Sequence, residues 1–269
     1  MHGPDDPMHG THTSVIRGVK APCTNCYVTS SYSNLTYEDG SEANYDTGVM
    51  LHHAVLSDLS HIAGDVTCGY GQSLEYSFLG RRIFASGNER TGGHLPEGYG
   101  VKFGPLPLLG MLVELMNMKP EEQKVYVDVV TTYVPAGAQP MKEALPVWLD
   151  ANPCSNSQHS VPEGESHTVK DWKSPFNAKI LTVGGHVHDG GAGATVRNKE
   201  TGKVYCESKA GYGTRPAFEG HIESMSVCSK DDLGTIRKGE NFEIDGEYHT
   251  HHAMSDVMTI AIAYVRVTP

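Results

Sequence analysis

Hydrophobic and polar residues alternate along much of this chain in short runs, and the alternation predicts β-strands. Successive side chains of a strand point to opposite faces, so a period of two indicates a strand with one buried face. Turn-forming residues separate the runs, and no stretch keeps a helical period. The runs are GVMLHHAVL, YGVKF, LGMLVELMNM, KVYVDVVTTYVP, AKILTVGGHVH, AGATVRN, KVYCES, ENFEIDGEYHTH and DVMTIAIAYVRV. This pattern predicts an all-β protein built from two antiparallel, jelly-roll-like β-sandwich domains.

The composition divides the 269 residues into three parts. Residues 1–45 are rich in Gly, Pro, Ser, Asn and Asp and predict an irregular arm that joins the first domain. The polar, turn-rich segment 150–175 predicts a linker or a long loop. We therefore predict a first sandwich at residues 46–170 and a second at residues 171–269.

The charge of the chain excludes some classes of partner. A formal net charge of −11 without a basic stripe argues against nucleic acid. The longest apolar run, PLPLLGMLVELM, is broken by prolines, Gly110 and Glu114, so we expect no membrane span. We expect a small molecule as the partner, whose identity the sequence does not give, and the oligomeric state stays open.

The cysteines bear on the compartment. The chain starts without the basic and apolar segments of a secretory signal, so it is either intracellular or its signal lies outside this sequence. Six cysteines without zinc-ribbon spacing favour disulfides in an oxidising compartment, and we expect a secreted protein. The stretch from Cys23 to Cys26 lacks the strand-to-helix context of a redox motif, which favours a structural cross-link.

Two histidines stand one residue apart in GGHVHDGG, residues 184–191. On a strand His186 and His188 share one face, while Val187 points to the other. Two imidazoles on one face can share a metal ion. Met258 lies on the inner face of a later alternating strand, where it is either core packing or a ligand. A thioether beside two imidazoles favours copper, above all Cu(I).

Two further histidine groups are candidates. His52 and His53 are adjacent, so on a regular strand they face opposite sides and can bind one metal ion only at a bulge or a distorted strand end. His249, His251 and His252 are ligands, supporting groups or part of a polar loop, and their spacing does not rank these alternatives.

Several motifs together resemble the stress-up-regulated nodulin family. They are LHHAVL, GNERTGGHLPEGYGV, GGHVHDGGAGATVRNKETGKVYCESKAGYG, HIESMSVC and IRKGENFEIDGEYHTHHAMSDVMTIAIAYV. The resemblance covers roughly residues 48–135 and 178–266. It also aligns Cys206 with Cys228 and so implies a bridge between them. The other four cysteines allow three pairings; they are Cys23, Cys26, Cys68 and Cys154.

The same framework looks like a distant relative of the copper type II, ascorbate-dependent monooxygenases. That resemblance implies two β-sandwich domains, each with one copper ion. It implies that His52 and His53 serve the first site. It implies that His186, His188 and Met258 form the second, oxygen-binding site.

The chain departs from that enzyme group at both sites. A third histidine of the first site would fall near LVELMNM, where this chain has Met116 or Met118, so we take Met116 as the candidate ligand. Gly184 and Ile262 stand where the peptide-amidating members have an arginine and a tyrosine that hold the substrate carboxylate. Peptide amidation is therefore not expected.

Two functions stay open after these comparisons of residues. The first is a copper oxidoreductase, with one or two copper ions, that hydroxylates an unknown substrate with O2 and takes electrons from ascorbate or another reductant. The second is a secreted copper-binding or sequestration protein without catalysis, since a fold does not fix a function. A cupin-like barrel fits less well, because Asp189 and glycines follow the His-x-His pair in place of a spaced glutamate.

Overall fold

The computed structural model describes residues 11–61, 65–68, 80–153 and 156–269. These residues form β-strands joined by turns, with one short 3-10 turn at Pro216–Phe218. The strands are β1 Thr11–Val19, β2 Cys26–Tyr37, β3 Val49–Asp58, β4 Arg81–Gly87, β5 Gly93–His94, β6 Tyr99–Phe103, β7 Leu109–Asn117, β8 Val125–Pro135, β9 Lys142–Glu143, β10 Leu145–Asp150, β11 Gln158–Val161, β12 Gly164–Lys173, β13 Asn177–Val187, β14 Gly191–Asn198, β15 Val204–Tyr212, β16 Ile222–Met225, β17 Val227–Ile236, β18 Asn241–Thr250 and β19 Met254–Thr268. The predicted all-β fold is confirmed. No helix of the described residues is long and apolar enough to cross a bilayer.

The first half of the chain forms two sheets. Sheet I has the strand order β1-β7-β3-β4, and sheet II has the order β5-β2-β6-β9 with β8 also paired to β2. The pairs are antiparallel except for the short parallel contact between β6 and β9. Leu35, Leu51, Phe103 and Val113 from these two sheets belong to one buried apolar core. The alternation of each strand places these side chains on the inner face, as in a sandwich.

The second half forms two further sheets. Sheet III has the order β10-β19-β13-β17 with β11 also paired to β19, and sheet IV has the order β12-β18-β14-β15-β16. Ile180 and Val265 of sheet III and Phe242 and Ile244 of sheet IV share a second buried core. The long strand β19 is an inner strand of sheet III, because it pairs with β13 and also with β10 and β11.

Parts of the predicted arm, residues 1–45, and of the predicted linker, residues 150–175, form paired strands. Strands β10 and β11 precede residue 170 and pair with β19, while β12 runs across that position. Residues 11–37 of the predicted arm form β1 and β2, which pair with β7 and β8. The residues of β1 show no clear alternation of apolar and polar side chains, so the local sequence does not predict a strand. Its extended conformation depends on pairing with β7. The division into 46–170 and 171–269 stays a prediction.

Disulfides tie the strands together. Cys206 of β15 is bonded to Cys228 of β17, which links sheet IV to sheet III and confirms the bridge that the resemblance implied. Cys23 is bonded to Cys26 at the start of β2, which confirms the expected structural cross-link. Cys68 is also disulfide-bonded. Cys154 lies outside the described residues.

Candidate metal centre

A β-bulge in β3 turns the adjacent histidines towards the same group. The register between β3 and β7 pairs Leu51 with Leu115 and then His53 with Glu114, so His52 is the extra residue of the bulge. The Nδ1 atoms of His52 and His53 lie 2.9 and 2.7 Å from Oε2 of Glu114. The irregularity that an adjacent pair needs in order to serve one ion is therefore present.

The His-x-His pair lies at the end of β13. Val187 is buried in the apolar core between sheets III and IV, and the two flanking imidazoles point away from it. His186 Nδ1 lies 3.2 Å from Oε1 of Glu89, and His188 Nδ1 donates to the backbone oxygen of Asp256 at 2.8 Å. The expected alternation of the pair is thus realised.

The two histidine pairs meet in one place, which we call the histidine cluster: His52, His53, His186 and His188. His53 Nε2 lies 3.1 Å from His186 Nε2 and 3.3 Å from His188 Nε2. One ligand atom from each of His52, His53 and His188 lies within 4.8 Å of the others. Two nitrogens at about 2.0 Å from one ion with tetrahedral angles are about 3.3 Å apart, so the spacing fits a shared metal ion.

The hydrogen-bond partners settle where the protons of these imidazoles sit. An ionised carboxylate and a backbone carbonyl only accept hydrogen bonds, so the Nδ1 atoms of His53, His186 and His188 carry the hydrogens. Their Nε2 atoms then present lone pairs, and that of His53 lies close to those of His186 and His188. Metal-binding histidines characteristically donate their other N–H to a carboxylate or a carbonyl.

Burial favours the neutral form of His53 and His188, which is the form that a metal ion needs. Burial lowers the pKa of His53 to about 4, although the hydrogen bond to Glu114 opposes this. Burial and the neighbouring histidines lower the pKa of His188 well below its ordinary value. Burial alone would raise the pKa of Glu114, but its hydrogen bonds from His52 and His53 outweigh this and lower it.

Glu89 and Glu114 are site residues that the motifs did not reveal. Burial raises the pKa of Glu89, but the adjacent His186 outweighs it and the pKa is lowered, so Glu89 is ionised. Glu114 is the single charged residue of the largely apolar strand LGMLVELMN, and this mismatch is the signal that the sequence offers. Glu89 stands in a turn after β4, where no periodicity marks it.

Gly87 leaves the space that this arrangement needs. It pairs with His53 across the β3–β4 ladder. A Cβ atom at this position would lie 2.5 Å from Oε2 of Glu89 and 3.0 Å from Cε1 of His186. The glycine therefore allows the carboxylate and the imidazole to pack against the backbone of β4.

Tyr248 links the backbone of the His186–His188 pair to the strand of Met258. It is fully buried, accepts a hydrogen bond from the His188 N–H at 3.3 Å and donates one to the backbone oxygen of Met258. The β13–β19 register pairs His186 with Ile260, and its continuation by two residues sets His188 opposite Met258. One hydroxyl thus joins the strand of the His-x-His pair to that of the methionine.

A cavity of about 320 Å³ adjoins the cluster. Its wall includes His53 and Glu114 from the first sandwich and His186 and Met258 from the second. The side chain of Glu89 is 6% exposed, so the site beside the cavity is largely shielded from solvent.

Comparison with known proteins identifies the family. Residues 123–268 match the family described as stress up-regulated Nod 19, SURNod19, which is more than half of the chain. The chain belongs to this family. The resemblance drawn from its motifs is thereby confirmed.

Two relatives of this SURNod19 protein carry informative names. "Probable copper-dependent oxygenase M1" of Phoma sp. is 28% identical over 269 aligned residues, which cover 93% of this chain and 66% of that protein. "Probable copper-dependent oxygenase clz3" of Cochliobolus lunatus is 26% identical over 253, covering 87% and 77%. The chain thus spans slightly less than two thirds of the first relative.

Among solved structures, the capsid protein P2 of bacteriophage PM2 is 8% identical to this chain. The TM-score is 0.36 over 96% of this chain and 98% of that one, a likeness too weak to inform function.

Met116 and Met118 are the methionine candidates for the first site of this SURNod19 protein. Met116 pairs in register with Met50, and Glu114, two residues earlier on β7, makes the contact to the adjacent histidines. Met118 is exposed. The monooxygenase resemblance implies a ligand near LVELMNM, and the bulge in β3 sets Glu114 of that stretch beside the histidines. Met116 as a ligand stays a prediction.

The third histidine group occupies exposed positions at the end of β18 and in the turn after it. His249 contacts Glu247 at 2.8 Å and Glu165 at 3.6 Å. His251 and His252 are both exposed. This exposure favours the polar-loop alternative, and the choice among the three alternatives stays a prediction.

Proposed function

We propose that this SURNod19 protein is a copper-dependent oxygenase that binds copper at the histidine cluster and oxidises a small molecule in the adjoining cavity with O2. The names of its two relatives support this direction. The observation that carries the proposal is the position of His53 Nε2, 3.1 Å from His186 Nε2 and 3.3 Å from His188 Nε2, with each Nδ1 held by an acceptor.

The donor set suits copper. His53, His186 and His188 would hold the ion through Nε2. His52, which lies within ligand distance of His53 and His188, stands beside them, and Met258 would offer a soft thioether from the strand opposite His188. Bound copper supplies the one-electron redox chemistry that O2 activation requires, with ascorbate or another reductant as the electron source. The assignment of His186, His188 and Met258 as the reacting site stays part of this proposal.

The side chains of the protein prepare the site before any ion arrives. Glu114 and Glu89 fix the tautomer and the orientation of the imidazoles, and their negative charges offset the charge of a cation. Burial of His53 and Glu89 excludes water from one side of the cluster. The open side is the cavity, where a substrate can approach.

We propose one copper ion in place of the two that the monooxygenase resemblance implied. Nitrogens 3.1 and 3.3 Å apart belong to one coordination sphere, whereas separate mononuclear sites need separate ligand sets. Glu114 supports both histidines of the first pair, so Met116 is not needed to complete a site there. The disulfides are compatible with secretion, which we retain as part of the proposal.

Oxygen uptake tests the catalytic part of this proposal. The purified protein, loaded with one equivalent of copper, is supplied with ascorbate, and O2 consumption is recorded with an electrode against free copper at the same concentration. We expect protein-dependent uptake that His186→Ala abolishes and that His249→Ala, an exposed histidine away from the cluster, leaves unchanged. Tight copper binding with no uptake above the His186→Ala level would instead support the sequestration protein.

A further inference from the structure

The cavity beside the histidine cluster has a largely apolar wall. Phe84, Trp148 and Ile260 are buried residues that line it, together with Leu112 and Ile262. They come from β4, β7, β10 and β19, so both halves of the chain contribute. Apolar lining favours a ligand that loses little hydration on entry.

The hydroxyl groups on this wall already have partners within the protein. Tyr264 donates to the backbone oxygen of Ile83 at 2.9 Å. Ser86 accepts a hydrogen bond from Ser33 at 2.8 Å. Thr182 lies 3.1 Å from the hydroxyl of Ser229. A strongly polar ligand would find few unpaired groups among them.

The charges around the cavity disfavour an anion. Glu89 and Glu114 belong to the wall, and Arg82 is the one lysine or arginine among its described residues. The guanidinium of Arg82 lies 3.4 Å from the carboxylate of Asp65 and stacks on Trp148, 4.3 Å from the ring centroid. A second buried acid, Asp150, also acts on this arginine electrostatically. Its charge is therefore balanced before any ligand enters.

We infer that the cavity takes a neutral, largely apolar organic molecule and discriminates against carboxylates. This inference rests on the proposed function, because it treats the cavity as the substrate site of the histidine cluster. Burial of a carboxylate between Glu89 and Glu114 without an unpaired cation would be unfavourable. Gly184 and Ile262 line the same wall and offer no charged group to hold an acid.

A matched pair of probes tests the inference. Binding of 1-naphthol and 1-naphthoate, which share a ring system and differ in charge, is measured by calorimetry at pH 7 on metal-free protein, so that coordination of the carboxylate to copper cannot contribute. We expect 1-naphthol to bind at least tenfold more tightly. Equal or tighter binding of 1-naphthoate would overturn the inference, as would the absence of naphthol binding.

Two variants locate the binding. Val227 lines the cavity, so Val227→Phe should fill it and weaken naphthol binding at least tenfold. Val204→Phe is the matched control, because Val204 is an exposed residue of β15. Equal effects of the two variants would overturn the assignment. Copper binding is measured separately on the same samples, so a protein that binds naphthol but not copper would refute the proposed function and leave the cavity assignment intact.

Discussion

Substitution Glu114→Gln removes the negative charge that one oxygen presents to two imidazoles. Oε2 of Glu114 accepts from Nδ1 of His52 at 2.9 Å and from Nδ1 of His53 at 2.7 Å. Glutamine has almost the same size and keeps one acceptor oxygen. The change therefore weakens both hydrogen bonds without opening a cavity.

The expected loss follows from these two bonds. A hydrogen bond to a charged group contributes about 1.5–3 kcal/mol and a neutral one about 1 kcal/mol, so each bond weakens by about 1 kcal/mol. Imidazoles bound to a metal ion are the stronger donors, so we assign the loss of both bonds, about 2 kcal/mol in total, to the metal-bound state. The affinity for Cu(I) then drops about 30-fold. Loss of a supporting carboxylate typically costs 10–100-fold in metal affinity, which agrees.

An anaerobic competition against a chromophoric Cu(I) chelator measures this affinity. Glu207→Gln is the matched control, because Glu207 lies exposed on β15 in an ion pair with Lys209. We expect the control to bind like the unchanged protein. An affinity of Glu114→Gln within twofold of the unchanged protein would refute the supporting role of Glu114, and an equal loss in both variants would indicate a general charge effect.

Three further substitutions test the surroundings. Gly87→Ala should displace Glu89, whose Oε2 would lie 2.5 Å from the new Cβ, and lower copper affinity at least tenfold in the same competition assay. Tyr248→Phe leaves two backbone groups without their partner and should lower the free energy of unfolding by about 1–3 kcal/mol in urea titrations. Burial raises the pKa of Asp65 to about 6, above its unfolded value, so its ionised form opposes folding. Asp65→Asn should therefore gain stability relative to the unchanged protein as the pH rises from 4 to above 6, by about 3 kcal/mol, and a constant difference would contradict this.

The strands and the faces of their side chains could be predicted from local sequence. Alternation placed His186 and His188 on one face and Met258 on a later strand, because the period of two needs no knowledge of packing. The adjacent pair at His52 and His53 likewise required an irregular strand, and β3 has a bulge there. Strand β1 escaped prediction, since its conformation depends on pairing with β7.

The meeting of the two histidine pairs could not be predicted in the same way. More than 130 residues separate His53 from His186, and local periodicity does not show which faces of two sandwiches come together. The monooxygenase resemblance implies a separate ion for each pair, because each domain of those enzymes holds one copper ion. Glu89 could not be predicted for a related reason. It lies in a turn, and only the packing of β13 against that turn brings its carboxylate to His186.

The number of Cu(I) ions bound tests the central claim most directly. Anaerobic titration of the purified protein, with His53→Ala and His186→Ala in parallel, counts the ions and assigns them to ligands. A single shared site predicts one equivalent, and each substitution should weaken that same equivalent strongly. Two equivalents, with one lost in each variant, would contradict the shared site, and no binding at all would contradict the assignment of copper.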